Sequence, residues 1–353
     1  MRIAQSRSFL IILLSQLALM IMCMTNAFAS DHLVAFTVSP NDALVYSVHQ
    51  DDHESFIAVH DTATGTFIKK IPIALVPVVH FKPTLAITPD GKKLYIVDVN
   101  KLAYVLNLQT YHLSKIKNKP KQDAGFEYSS PLSMMPDGRH LYVADGVGQL
   151  RSPPVIHVID TATNRVDVAA SRKEHYDKGW YNGVAAFNNA SSLLYLSREL
   201  EYYKFEISIF DTRAHHLMDE VISVDGRMSG MAIHPVSGKL YVLKGGRIEV
   251  IDPVTRSVVD TLGLHWTNHT LGMAFALNGN KLYVIDDAGK GKLHIVDTLT
   301  RQVHEMEVPV YSNGSWTSEI KSSENGAKVY VSTLDGKILV VDANTDTIIR
   351  EIF

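Results

Sequence analysis

The sequence predicts an all-β fold, a seven-bladed β-propeller built from four-stranded antiparallel blades. A Leu-Tyr-Val-like strand recurs at intervals of roughly 40 to 55 residues, a spacing that is typical of propellers and solenoids. A second alternating run follows each copy and ends in a polar turn. The tyrosines that mark the seven copies are Tyr46, Tyr95, Tyr142, Tyr195, Tyr241, Tyr283 and Tyr330.

A tight turn precedes most of these tyrosines. Asn, Asp and Gly tolerate the positive φ that a tight hairpin needs, so these segments predict the connection between a first and a second strand. The turn residues are Pro89-Asp90-Gly91, Pro136-Asp137-Gly138, Ser237-Gly238, Asn278-Gly279 and Asn325-Gly326.

The third strand of each repeat ends at an Asp, as at Asp211, Asp252 and Asp342, whereas the second copy has Asn107. Either side chain can cap the turn that follows. A fourth short strand comes next, for example residues 258–262. Each repeat is therefore four short strands without a helix, and such sheets bury a continuous core only when they pack around a common axis.

The N-terminus has the pattern of a secretory signal peptide. Arg2 and Arg7 precede the apolar run 9–24, and Ala27 and Ala29 form a small-x-small cleavage pattern. We expect cleavage after Ala29, so that residues 1–29 are the signal peptide and 30–353 the propeller. The expected location is periplasmic or secreted, with no membrane anchor after cleavage.

The only cysteine, Cys23, lies inside this apolar run. Disulfides, thiolate zinc sites and cysteine nucleophiles are therefore excluded from the mature chain. The formal net charge of −3 argues against nucleic-acid binding, which usually needs a basic stripe. Since nucleophile elbows, P-loops, dinucleotide fingerprints and metal-ligand spacings are all absent from the sequence, we expect no cofactor and no metal.

The strand and turn motifs together resemble the bacterial YVTN-type repeat. Residues 94–97, 141–144 and 329–332 match its central strand, Pro-Asp-Gly its preceding turn, and residues 159–163 its Ile-Asp-Thr-Ala-Thr segment. The resemblance covers nearly all of the mature chain and implies a scaffold that is often exported and has no shared catalytic residues. The chain departs from the repeat at residues 188–192, which replace the fourth turn, and at Asn107.

Function is expected on one face of the disc. If the strands of a blade are called a to d, the short a–b and c–d turns lie on one face, and the longer b–c and d–a connections lie on the other. All three tryptophans fall in d–a connections. Aromatic side chains there suit contact with a partner, although they can also simply fill the space between blades. The candidate binding residues are Phe126, Tyr128, Trp180, Tyr181, Arg227, Trp266, His269, Trp316, Glu319 and Lys321.

Lys321 is included because it breaks a pattern. The residue nine positions before each tyrosine is small in the other six repeats, which lets innermost strands approach closely. A lysine there needs a carboxylate or channel water. Glu319 and Lys321 are thus candidates for a polar channel site, with a structural ion pair or a shifted alignment as the alternatives.

These features favour an exported, non-enzymatic, monomeric binding module that holds a protein or another extended ligand. The alternative is a propeller enzyme or enzyme subunit acting at the axial channel, such as a lactonase-like hydrolase, a lyase or an amine-dehydrogenase-like subunit. An envelope structural component is a third reading. Both chain ends coincide with complete repeats, so we expect the ring to close by packing between blades, without strand exchange.

Overall fold

The computed structural model describes residues 32–50, 54–75, 83–98, 102–116, 132–145, 155–171, 180–188, 192–201, 204–244, 246–263, 270–286, 291–310, 319–333 and 335–353. Within these ranges the chain forms seven four-stranded antiparallel sheets and one short 3-10 turn. The predicted signal peptide lies outside them. No described helix has the length and apolar character that a bilayer crossing requires.

The 28 strands follow the predicted blade order. Blades 1 to 4 are β1 (His32–Val38), β2 (Leu44–Gln50), β3 (Ser55–Asp61), β4 (Phe67–Ile73); β5 (Thr84–Ile87), β6 (Lys93–Asp98), β7 (Leu102–Asn107), β8 (Leu113–Lys115); β9 (Leu132–Met134), β10 (His140–Asp145), β11 (Val155–Asp160), β12 (Val166–Ser171); β13 (Trp180–Asn188), β14 (Leu193–Glu201), β15 (Lys204–Asp211), β16 (His216–Asp225). Blades 5 to 7 are β17 (Met228–Ile233), β18 (Leu240–Lys244), β19 (Arg247–Asp252), β20 (Ser257–Gly263); β21 (Thr270–Ala276), β22 (Lys281–Asp286), β23 (Lys292–Asp297), β24 (Val303–Glu307); β25 (Ile320–Ser322), β26 (Lys328–Ser332), β27 (Ile338–Asp342), β28 (Thr347–Ile352).

Every sheet pairs four consecutive strands in the order a-b-c-d. The a strands of successive blades contact one another, so they line the axis and the d strands form the outer edge. The predicted seven-bladed propeller is therefore confirmed. Blade 1 is made wholly of β1–β4 and blade 7 wholly of β25–β28, so neither end lends a strand to the other.

The repeated tyrosine fills the space between neighbouring blades. All seven rings are buried, and the described hydroxyl bonds reach into the next blade. The hydroxyl of Tyr95 donates to Asn164 Oδ1 (2.7 Å), and that of Tyr142 donates to the carbonyl of Thr212 (3.0 Å). The aromatic ring of the tyrosine packs between apolar side chains, and its hydroxyl forms a hydrogen bond to the next blade, which explains why tyrosine suits this position.

Side chains hold the c–d turns as the sequence predicts. Asp160 Oδ1 accepts hydrogen bonds from the backbone N–H and the hydroxyl of Thr163, both at 2.7 Å. Asn107 Oδ1 accepts from the N–H groups of Gln109 and Thr110, both at 2.9 Å. The amide oxygen thus replaces a carboxylate oxygen, and blade 2 keeps its turn despite the departure from the repeat.

Blade 4 makes its a–b turn with other residues. Ser192 adopts a left-handed conformation (φ 58°) and its N–H donates to the carbonyl of Asn188 (2.9 Å). The hydroxyl of Thr212 then donates to the Ser192 carbonyl (2.7 Å). Thr298 makes the same link to the carbonyl of Gly279 in blade 6 (2.7 Å). Threonine after the third strand therefore ties the c–d turn to the a–b turn of its own blade.

The ring closes through contacts between blades 7 and 1. Lys328 Nζ lies 2.7 Å from an Asp42 carboxylate oxygen, and the hydroxyl of Tyr330 donates to the other oxygen. The carboxylate of Glu319 accepts a hydrogen bond from the N–H of Phe36 (3.2 Å). An apolar cluster spans the boundary, with Phe36, Val45, Tyr330, Ile338, Val340 and Ile352 at its centre.

Candidate binding face

The two faces of the disc differ in how their polar groups are used. We call the face with the a–b and c–d turns the turn face, and the face with the b–c and d–a connections the loop face. On the turn face, short polar side chains bond within each turn, as Thr88 does with Asp90 (2.7 Å) and Ser323 with Asn325 (2.8 Å). These groups are already satisfied, so the turn face offers few of them to a ligand.

Most of the predicted aromatic site lies outside the described residues. This applies to Phe126, Tyr128, Trp266, His269 and Trp316. The prediction that Trp180 lies in a d–a connection is wrong, because Trp180 and Tyr181 begin β13, where their backbones pair with Glu199 and Arg198 at the loop face. Convergence of the tryptophans on one face therefore stays a prediction.

Arg227 is the predicted site residue whose position on the loop face is fully described. It is exposed and stands in the connection between β16 and β17. Its place beside the first residue of β17 follows from the tight turn at Gly226, which has a φ of 87°. This conformation favours glycine.

Lys321 occupies the position that the tyrosine count predicts. It pairs with Tyr330 in the sheet register, as Ala86 pairs with Tyr95 and Ala274 with Tyr283. The Lys321 side chain is exposed, and no described residue forms an ion pair with it. The carboxylate of Glu319 instead serves the ring closure described above.

Lys321 lies at the boundary between blades 7 and 1, where the innermost strands are packed least closely. β1 and β25 contact each other less extensively than the other six neighbouring pairs of innermost strands do. Lys321 is also the only Lys, Arg, Asp or Glu within the seven innermost strands. It therefore places a single amine beside the axis at the closing boundary.

A ring of polar residues, which the sequence reasoning missed, lies at the loop-face end of the b strands. Each member follows its tyrosine by three residues, and this fixed offset is the signal that could have revealed it. The six members whose side chains are described are only 2–7% exposed. The ring consists of His49, Asp98, Asp145, Arg198, Lys244, Asp286 and Thr333.

The ring has cations in blades 4 and 5, each facing a carboxylate on the neighbouring c strand. Arg198 Nη1 lies 3.0 Å from Glu206 Oε1, and both side chains are nearly inaccessible. Lys244 Nζ lies 3.0 Å from Glu249 Oε1. Buried charges of this kind are costly unless they are paired. Their pairing within a blade keeps the strand ends ordered at the loop face.

Blade 5 adds a second cation to its pair. Arg247 donates to Glu249 Oε1 through Nε (3.0 Å) and Nη2 (2.8 Å), while 47% of its side chain stays exposed. Burial raises the pKa of Glu249, but the hydrogen bonds and positive charges of Arg247 and Lys244 outweigh it and hold that pKa below its ordinary value. Glu249 is therefore ionised at neutral pH.

Blade 6 holds a histidine between two carboxylates. His294 Nε2 lies 3.4 Å from Asp286 Oδ2, and Nδ1 lies 3.4 Å from Glu305 Oε1. Burial lowers the pKa of His294 despite these carboxylates. No group of three or more His, Cys, Asp or Glu side chains within the described ranges is arranged to hold a metal ion.

Blade 1 contains a pair with the geometry of a serine nucleophile and its base. Ser47 Oγ and His49 Nε2 are 2.9 Å apart. The two residues are only 2% and 4% exposed, so a substrate cannot reach the hydroxyl. Hydrogen bonding inside the blade is the role that this burial allows.

The strand order and the register define a seven-bladed β-propeller whose buried polar ring lies at the loop-face ends of the b strands. No protein-family model and no curated protein matches the sequence. Among solved structures the chain is similar to a chain of hydrazine synthase from Kuenenia stuttgartiensis, with a TM-score of 0.68 and 16% sequence identity. The match covers 89% of this chain and 96% of that chain. At this identity the likeness concerns the fold alone.

Proposed function

We propose that this protein is an exported binding module that holds a protein or another extended ligand on its loop face. The observation that carries the proposal is the contrast between the faces. Polar groups of the turn face bond to one another within short turns, whereas the longer connections lie on the loop face. A rigid scaffold with variable connections on one side is a common arrangement for recognition.

The expected partner follows from the sequence. Trp180 is the first residue of β13 at the loop face, the sequence places Trp266 and Trp316 in d–a connections, and large rings of this kind dominate many protein interfaces. The net charge of −3 disfavours nucleic acid. The signal-like N-terminus supports export, and the repeat motifs support membership of the YVTN-type propellers. We expect a non-enzymatic monomer.

Replacement of Trp180, Trp266 and Trp316 together by Ala tests the proposal. The purified variant and the wild type are used to capture ligands from the exported fraction of the native organism. We expect the variant to lose the species that the wild type retains, because the main apolar anchors of the loop face are gone.

The chain offers a matched control on the turn face. Val236, Val254 and Leu299 are 75%, 86% and 78% exposed in a–b and c–d turns, and their triple replacement by Ala also removes apolar surface. This variant should capture as the wild type does. Equal capture by all three proteins, at unchanged thermal stability, would contradict a binding role for the loop-face tryptophans.

The alternative is a subunit of a larger enzyme. It is motivated by the structural likeness to a chain of hydrazine synthase, which is an enzyme. Metal analysis of the purified protein and gel filtration of the native exported fraction distinguish the two proposals. Stoichiometric metal, or stable co-elution with a redox protein, would favour the enzyme-subunit reading over a monomeric binding module.

A further inference from the structure

One corner of blade 5 brings three cations and one carboxylate to the loop-face ends of neighbouring strands. The register places Met228, Lys244 and Arg247 side by side at the loop-face ends of β17, β18 and β19. Arg227 immediately precedes Met228. Adjacent strands are about 5 Å apart, so the flexible side chains of Arg227 and Arg247 extend from positions only two strands apart. We call Arg227, Lys244, Arg247 and Glu249 the blade 5 corner.

The corner has an excess of positive charge at its surface. Lys244 and Glu249 are 7% and 8% exposed and neutralise each other. Arg247 shares the same carboxylate but remains half exposed. Arg227 is exposed, and within the described ranges no carboxylate pairs with it. Two guanidinium groups are therefore exposed at the corner, whereas Glu249 is only 8% exposed and is already paired with Lys244 and Arg247.

The neighbouring blade 4 carries charges of both signs at its loop-face end. Asp225, two residues before Arg227, lies opposite Lys204 in the register of β15 and β16, and both are exposed. Arg198 and Glu206 of blade 4 form their own buried pair. Lys204 also lies opposite Glu201 in the register of β14 and β15, so charges of both signs flank the corner, and the two exposed arginines remain its distinguishing feature.

We propose that the blade 5 corner docks an acidic polypeptide segment, with Arg227 and Arg247 each receiving an Asp or Glu carboxylate of the partner. The proposal rests on the loop face being the binding face and names the chemistry of what binds there. Guanidinium groups suit this role because their planar fork matches the two oxygens of a carboxylate.

The exposure of both arginines favours an extended ligand over a free small anion. A single ion pair in water contributes only about 0 to 1 kcal/mol, so one small anion at this corner would be held weakly. An acidic segment can form several such ion pairs at once. After the first has formed, the second forms within the same complex at a high effective concentration, which raises the total affinity. The buried Lys244–Glu249 pair joins the ends of β18 and β19. Because Arg247 donates hydrogen bonds to the same Glu249 carboxylate, its side chain is oriented before a ligand binds.

A short fluorescein-labelled oligo-aspartate peptide is the probe, and its fluorescence anisotropy is measured at low salt. We expect the double variant Arg227→Gln/Arg247→Gln to bind the peptide about tenfold more weakly than the wild type, because two charge contacts are lost. Glu249 keeps Lys244 in the variant, so the buried pair remains and thermal unfolding should be little changed. Binding by the wild type should weaken as salt is added.

The matched control is Arg139→Gln/Arg213→Gln. Both arginines are exposed on the turn face, without ion pairs among the described residues, and their replacement changes the net charge by the same amount. Undiminished affinity in this control supports the proposal. It is overturned if the wild type does not bind the peptide, if the corner variant binds as tightly as the wild type, or if both double variants lose affinity equally.

The tryptophan variant separates this result from the proposed function. If its ligand capture is lost while Arg227→Gln/Arg247→Gln captures normally, the loop face binds its partner without the corner and only this inference fails. If the tryptophan variant captures normally but the corner variant loses the peptide, the corner binds acidic chains and the aromatic site fails.

Discussion

At the scale of single residues, two histidines of blade 1 are held neutral by their surroundings. His49 stacks on Phe56 (5.1 Å between ring centroids), and its Nε2 bonds Ser47. Burial, reinforced by the neighbouring His60 and Lys70, lowers the pKa of His49 to about 3. Burial also lowers the pKa of His60 to about 4, although the backbone of Phe353 opposes the shift.

Acid should therefore destabilise the fold well before the carboxylates titrate. The histidines of the unfolded chain have a pKa of about 6.5 and take up protons first, so the stabilisation is complete above that pH and falls as the pH drops toward the folded pKa values. A single such histidine costs about 2 kcal/mol at pH 5. We expect His49→Gln, which can still bond Ser47, to lose less unfolding free energy than the wild type between pH 7 and pH 5 in urea titrations.

The control for this prediction is His216→Gln, since His216 is exposed at the start of β16. It should retain the full pH dependence of the wild type. Parallel pH profiles for the wild type and His49→Gln would show that His49 is not the group whose protonation opposes folding.

At the scale of single elements, the c–d turns explain why the repeat could be read so directly from the sequence. Each turn carries its own side-chain cap, so Asp160 and Asn107 act locally and their role is visible without the rest of the fold. The strands that flank them alternate in polarity for the same local reason.

The polar ring depends on contacts that a linear reading cannot show. Lys244 and Arg198 stand at the ends of alternating strands, where a charged residue ordinarily signals exposure. Their burial comes from the c strand, which supplies Glu249 and Glu206 across the sheet. Lys321 shows the same limit of sequence-based prediction. Its position in the repeat was evident from the sequence, but the sequence could not show that Glu319 accepts a hydrogen bond from Phe36 of another blade and does not pair with Lys321.

The turn caps also predict a pH dependence. Hydrogen bonds from backbone and side-chain groups of Thr64 and Thr300 lower the pKa of Asp61 and Asp297, and backbone bonds from Asn344 and Thr345 lower that of Asp342. Stability from these groups is present above the unfolded Asp value of about 3.9 and is lost as the pH falls through the lower folded values.

The triple variant Asp61→Asn/Asp297→Asn/Asp342→Asn should therefore show a flatter fall of the urea midpoint between pH 5 and pH 3. Asn107 shows that an amide oxygen can hold this turn, so the variant should stay folded at neutral pH. An unaltered acid profile would mean that the turn carboxylates do not contribute to the acid sensitivity of the fold.

At the scale of the whole molecule, the ring depends on side chains for its closure. Blades 6 and 7 are joined by the chain itself, whereas blades 7 and 1 are neighbours only in space. The two boundaries nevertheless use the same chemistry. Lys281 and Tyr283 bind the carboxylate of Asp346 across one of them, and Lys328 and Tyr330 bind Asp42 across the other.

This likeness provides a matched pair of variants, Asp42→Asn and Asp346→Asn. Both positions have a φ near 55–58°, which asparagine tolerates, so each change removes a charge with little backbone strain. We expect each to lower the free energy of unfolding by about 1–2 kcal/mol, because one ion pair and one charge-assisted hydrogen bond are weakened.

The two variants should differ in local opening, which hydrogen–deuterium exchange measures. Asp42→Asn should accelerate exchange in blades 1 and 7 together, since that boundary has no covalent link and its innermost strands are the least closely packed. Asp346→Asn should change exchange less, because the chain keeps blades 6 and 7 adjacent while the pair is broken. Equal acceleration at both boundaries would mean that the missing covalent link does not make closure more dependent on the ion pair, and no acceleration in Asp42→Asn would mean that the apolar cluster around Phe36 and Tyr330 is enough to close the ring.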